Sequence, residues 1–126
     1  EIPPEDLAQQ DLMLLGAGHC FRDQVLNACP NCMVGNSEIT RSLEGGSLET
    51  IRHMVAAGTG ITVLPHTSIM HSNHDERMID FKPFKAPAPS RTVAIAWRKH
   101  YPRKDTIGTI RETIQTNPLN GVEILQ

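Results

Sequence analysis

Aromatic residues are scarce in this 126-residue chain, with one Trp, one Tyr and three Phe. The remaining composition is nonetheless that of a folded domain: 39% is hydrophobic and 21% charged, which argues against extended disorder. Cysteine is sparse and odd in number. Three Cys are too few for a secreted disulfide framework, so a reducing, cytosolic setting is expected, where clustered thiols serve redox chemistry or metal binding. A positive balance is missing too: 12 Lys and Arg face 14 Asp and Glu, for a net charge of −2. The chain by itself is therefore not a nucleic-acid-binding domain and has no bulk attraction to an anionic membrane. No apolar run approaches the roughly 20 residues of a membrane span, and no signal peptide is recognisable. Internal repeats and low-complexity stretches are absent as well. The first residue is Glu1 rather than Met, so a processed chain, or a piece of a longer one, is expected.

What is present has the rhythm of one α/β domain. A Pro-started lead-in carries a short helical turn over 5–10. Residues 11–15 (DLMLL) form a buried-strand candidate, ended by Gly16-Ala17-Gly18. Residues 20–28 suit a helix with Phe21, Val25 and Leu26 on one face, stopped by Pro30. A loop over 30–37 and a strand over 38–43 follow. Ser47 is the expected N-cap of a helix carrying Leu48, Ile51, Met54 and Val55, with Gly58 at its C-terminal cap and a strand at 61–65. Beyond a polar, Pro-rich stretch (66–90) with a short strand at 78–81, residues 92–97 (TVAIAW) read as a strand covered on both faces. Ile107, Ile110 and Ile114 place a last amphipathic helix at about 105–116.

The chemistry concentrates after the first strand, in Gly18-His19-Cys20-Phe21-Arg22-Asp23. A cysteine at a helix start lies where backbone amides and the helix dipole favour an anion, and the thiolate is the form that attacks peroxide or a disulfide. His19 and Arg22 add donors nearby. The alternative is a small side chain filling space under a turn. Cys29 is nine residues further on. At ~1.5 Å per residue a continuous helix would hold the two Cα atoms ~13 Å apart, whereas a disulfide needs them within roughly 7 Å. A Cys20–Cys29 bond would thus require the helix to unwind, which is the form of a redox switch: sulfenic acid at Cys20, then condensation with Cys29.

Other readings use the same residues. Cys29-Pro30-Asn31-Cys32 is a Cys-x-x-Cys that would make a thiol oxidoreductase, although here it closes a helix instead of opening one. His19, Cys20, Cys29 and Cys32 could together ligate zinc, but neighbouring His19 and Cys20 chelate poorly. A small organic anion at the helix start of Ser47, with Arg91, is a further possibility that needs no thiol chemistry. His66, His71 and His74 fall in or near a polar loop, His53 and His100 on the surface. Gly58-Thr59-Gly60 is a turn and lacks the rest of a nucleotide-binding pattern.

Two stretches together resemble one family. Gly18-His19-Cys20-Phe21-Arg22-Asp23-Gln24, with Cys29, resembles the sensing loop of the OxyR-type peroxide sensors among LysR-type transcriptional activators. Ser47 to Pro65 (SLETIRHMVAAGTGITVLP) resembles the helix–turn–strand of LysR-type effector domains in general, and Arg91-Thr92 matches as well. The likeness covers nearly the whole chain, least well at 66–90 and in the last ten residues.

The resemblance implies a periplasmic-binding-protein-like regulatory domain, a mixed sheet flanked by helices. Residues 1–91 would be most of regulatory subdomain II and 92–126 a strand and helix returning to subdomain I; the DNA-binding winged helix-turn-helix would lie outside this chain. It implies Cys20 as the peroxidatic thiol and Cys29 as the resolving thiol, with His19, Asp23 and Arg91 binding the peroxide or orienting the thiol. It implies a bacterial cytoplasmic regulator, not an enzyme, with no cofactor, metal or membrane. Its partners would be hydrogen peroxide, further copies of itself in a dimer or tetramer, DNA through the outlying domain, and a reductant of glutaredoxin or thioredoxin type. Cys32 has no counterpart in that pattern and lies close enough to Cys29 to compete in disulfide exchange. The apolar side chains of Val93, Ile95, Trp97 and Ile107 are expected to lack cover in this chain.

Overall fold

The computed structural model describes residues 1–33, 46–69 and 78–125. The segment after Asp11 organises it. Leu12, Met13, Leu14 and Leu15 are all buried, and extended backbone sends successive side chains to opposite faces. Leu12 and Leu14 enter one core with Leu7, Val25, Cys29 and Cys32. Met13 and Leu15 enter a second with Ile51. A segment with apolar cover on both sides has no polar alternation, and that is how 12–15 reads.

Backbone pairing runs parallel. Ile61 N–H donates to the Asp11 carbonyl at 3.0 Å and Met13 N–H to the Ile61 carbonyl at 2.8 Å, which bridges Leu12 and Ile61. The Thr62 hydroxyl adds a bond to the Met13 carbonyl at 3.0 Å. A second parallel bridge joins Ile2 to Phe84 through Ile2 N–H to the Pro83 carbonyl and Lys85 N–H to the Ile2 carbonyl, 3.0 and 2.9 Å. Gly60 sets the closeness of the first bridge, because a Cβ there would run into the Asp11 carbonyl oxygen. Gly60→Ala is therefore expected to push the two segments apart and lower stability by ~1–3 kcal/mol through weakened backbone bonds, read as a lower urea midpoint at unchanged m-value.

The helices begin and end where local chemistry directs. A 3-10 helix spans Pro4–Gln9 with proline in its first turn. Helix α1 spans Cys20–Ala28, after a turn in which Gly18 adopts φ +94°, a value side chains with a Cβ rarely take. A second 3-10 helix, Pro30–Met33, follows at once. Helix α2 spans Leu48–Ala56, and the Ser47 side chain accepts from the Thr50 N–H at 3.2 Å. At its other end Gly58 has φ +82°. Gly58 N–H bonds the Val55 carbonyl and Thr59 N–H the Met54 carbonyl, 2.9 and 3.1 Å, the paired bonds of a Schellman motif. Ser47→Ala is expected to cost ~1 kcal/mol, visible as a lowered thermal midpoint. Helices α3 (His66–Ile69) and α4 (Lys104–Thr116) complete the described set.

The expected strands are realised unevenly. Among the described residues, 11–15 and 61–65 meet in an isolated bridge instead of a full ladder, and the pairing expected at 78–81 falls at Phe84. The strand expected at 38–43 lies outside the described residues, as do His71 and His74. Residues 92–97 depart furthest: no bridge forms there and all six positions are exposed, with Val93 at 77% and Trp97 at 53%. Apolar composition signals a need for cover, and among the described residues no backbone lies across this segment to give it. Helix α4 has the same character, with no buried residue and with Ile110 and Ile114 exposed.

Candidate functional site

Cys20 is the first residue of α1, and its thiol is free and exposed. The preceding turn closes through His19 N–H to the Gly16 carbonyl at 3.4 Å, and Arg22 N–H reaches back to the His19 carbonyl at 2.9 Å. The thiol is thus presented at the end of a helix where unsatisfied amides cluster. His19 occupies the N-cap with extended backbone, and its ring makes no capping bond. His19 and Asp23 are both exposed on the same first turn.

Two arginines frame this turn differently. Arg22 Nη1 donates to the Leu15 carbonyl at 2.9 Å, tying α1 to the end of the buried segment. Arg91 comes from far along the chain. Its guanidinium carbon lies 5.3 Å from the centroid of the Phe21 ring, within the range of cation–π attraction. Phe21 adjoins Cys20 in sequence and packs against both cores. His19, Cys20 and Asp23 thus share the N-terminal end of α1, and Arg91 reaches the ring of Phe21, the residue that follows Cys20. Phe21 was legible in the sequence only as one of a helix's apolar residues; the long-range arginine contact left no local signal.

Cys29 stands apart from this group. It lies just past the other end of α1, where its N–H bonds the Val25 carbonyl at 3.1 Å. Its sulfur is bonded to that of Cys32, with Cα atoms 5.5 Å apart. The thiol read as the resolving one is thus held in a disulfide with Cys32, because the 3-10 turn brings Cys32 within bonding distance while the intact helix keeps Cys20 ~13 Å away at ~1.5 Å per residue. The two bonded cysteines are 2% and 3% exposed, in the core with Leu7, Leu12, Leu14 and Val25.

These placements weigh on the alternatives. An oxidoreductase must present one sulfur of its Cys-x-x-Cys to a substrate disulfide, and here both are buried. Among the described residues no three His, Cys, Asp or Glu side chains gather around a metal position. The Ser47 oxygen is engaged with Thr50, and Arg91 sits over the Phe21 ring. No helix among the described residues is long and apolar enough to cross a membrane.

The LysR substrate binding domain family matches residues 1–118. This chain is a LysR substrate-binding domain. The fold is accordingly the periplasmic-binding-protein-like one of that family. Among relatives, this LysR domain is 36% identical over 124 residues to the hydrogen peroxide-inducible genes activator of Pectobacterium carotovorum, covering 98% of the chain and 40% of that protein. The reduced OxyR regulatory domain of Pseudomonas aeruginosa superposes with a TM-score of 0.78 at 45% identity, over 93% of this chain and 54% of that one. A reduced OxyR from Neisseria meningitidis gives 0.85 at 34% identity, over 99% and 58%. The LysR domain thus spans about two fifths of the length of the first relative and somewhat over half of the two solved chains.

Proposed function

We propose that this LysR domain is the redox-regulatory part of a peroxide-responsive transcriptional activator, a regulator and not an enzyme. The observation that carries the reading is the exposed Cys20 at the first residue of α1, between His19 and Asp23 on the same helix end, with Arg91 on the ring of the neighbouring Phe21. Likeness to proteins named as peroxide-inducible activators and OxyR supports it.

The chemistry balances as follows. The Cys20 thiolate attacks one oxygen of hydrogen peroxide, forming the sulfenic acid and releasing hydroxide. The thiolate of reduced Cys29 then displaces hydroxide from the sulfenic sulfur and forms a Cys20–Cys29 disulfide. Because α1 holds the two apart, that second step unwinds α1. His19, Asp23 and Arg91 supply the donors and acceptors that hold peroxide against the sulfur. A dithiol reductant of glutaredoxin or thioredoxin type returns both thiols.

The surrounding assignments belong to the same proposal. Residues 1–91 form most of regulatory subdomain II. Residues 92–126 return to subdomain I as part of a mixed sheet flanked by helices, which gives Val93, Ile95 and Trp97 their cover. A winged helix-turn-helix outside this chain binds DNA, copies of the regulator associate as dimers or tetramers, and the setting is a bacterial cytoplasm.

The test is acid-quenched alkylation and peptide mass mapping of the fully reduced protein, from seconds to minutes after about one equivalent of hydrogen peroxide. A Cys20–Cys29 cross-linked peptide in the early samples, reversed by dithiothreitol, is the expected result. Cys20 remaining fully alkylatable at every time would overturn the reading.

A further inference from the structure

One feature lies outside a two-cysteine switch: with α1 intact and Cys20 free, Cys29 is bonded to Cys32. We infer that Cys32 is a second resolving thiol that discharges the Cys20–Cys29 disulfide and switches the activated form off. The inference rests on the peroxide reading above and adds a step to it.

The Cys32 thiolate attacks the Cys29 sulfur of the Cys20–Cys29 bond. A Cys29–Cys32 bond forms, the Cys20–Cys29 bond breaks, and the electron pair leaves on Cys20 as thiolate. No external oxidant or reductant enters, since the oxidation already delivered by peroxide only changes its location. The reacting sulfurs are near at hand, because Cys32 N–H bonds the Cys29 carbonyl at 3.0 Å within one 3-10 turn.

The direction of exchange follows from what each bond demands of the chain. A Cys20–Cys29 bond is incompatible with the nine-residue helix between them. The Cys29–Cys32 bond spans three positions, fits Cα atoms 5.5 Å apart, and leaves α1 whole. It also keeps Cys29 and Cys32 inside the core with Leu7 and Val25. Exchange therefore regains the backbone bonds of α1 and the apolar burial together. The activated form becomes a transient, and the product holds its resolving thiol in reserve until a reductant opens Cys29–Cys32.

The experiment follows both disulfides by quenched mass mapping in the full chain after one equivalent of peroxide, comparing wild type with Cys32→Ser and Cys20→Ser. Wild type is expected to form Cys20–Cys29 early and lose it to Cys29–Cys32, with Cys20 alkylatable again. Cys32→Ser should retain Cys20–Cys29 at late times, when wild type has lost it, because the attacking thiolate is gone. Cys32→Ala, which keeps the position apolar, should behave likewise. Cys20→Ser should form no Cys29–Cys32 on this timescale. Equal persistence of Cys20–Cys29 in wild type and both Cys32 variants would overturn the relay and leave the peroxide reading standing. Cys29–Cys32 appearing as fast in Cys20→Ser as in wild type would overturn it too, showing direct oxidation. No Cys20–Cys29 bond at any time, in wild type or either Cys32 variant, would defeat both.

Discussion

Cys20→Ser is expected to abolish the response to stoichiometric peroxide while leaving the fold in place. The side chain is exposed at the first turn of α1 and contributes nothing to either core, so loss of the sulfur costs no packing. A serine hydroxyl at that position can still face the helix-end amides. What it lacks is a polarizable, readily ionised atom able to take oxygen from peroxide. Thermal unfolding should therefore match wild type within about 0.5 kcal/mol, as for surface substitutions generally, while the loss of alkylatable thiol in the first seconds disappears. Retention of the fast phase in this variant would move the reactive sulfur elsewhere.

Leu12→Ala should produce the largest loss of stability, ~2–5 kcal/mol by the behaviour of large-to-small changes in closed cores. Leu12 is 0% exposed and packs in the core that holds Leu7, Val25 and both bonded cysteines. Its own backbone sits between the two hydrogen bonds that reach Ile61, so the chain on either side is held and cannot readily collapse into the space left. The measurement is urea denaturation under reducing and oxidising conditions. A loss below about 1 kcal/mol in both would show that this core can close around the missing side chain.

The parts of this fold written in local chemistry were readable from the sequence. Ser47 caps α2 through the Thr50 N–H and Gly58 closes it with a positive φ, because cap and turn preferences depend on a few adjacent residues. The glycine turn before Cys20 set the start of α1 for the same reason. The parts that depend on distant chain were not readable. Residues 92–97 carry a strand's composition, but composition cannot say whether the covering backbone belongs to the same segment of chain; among the described residues it does not, and Trp97 is exposed. The seating of Arg91 on Phe21 joins positions 70 apart in the sequence, with no periodicity to announce it. The choice of disulfide partner was an intermediate case. Spacing alone allowed Cys29 to pair with either neighbour, and only the persistence of α1 as a helix directs it to Cys32.

Phe21 gives the site a mechanical property of its own. Its ring is shared by both cores and carries the Arg91 guanidinium, while its backbone follows directly on Cys20. If the first turn of α1 unwinds, that ring cannot keep all three contacts, so a change at one exposed sulfur is felt simultaneously on both faces of the 12–15 segment and at the base of the 92–97 strip. Phe21 acts as an axle pin: drawing it out loosens parts that, among the described residues, have no other side chain in common.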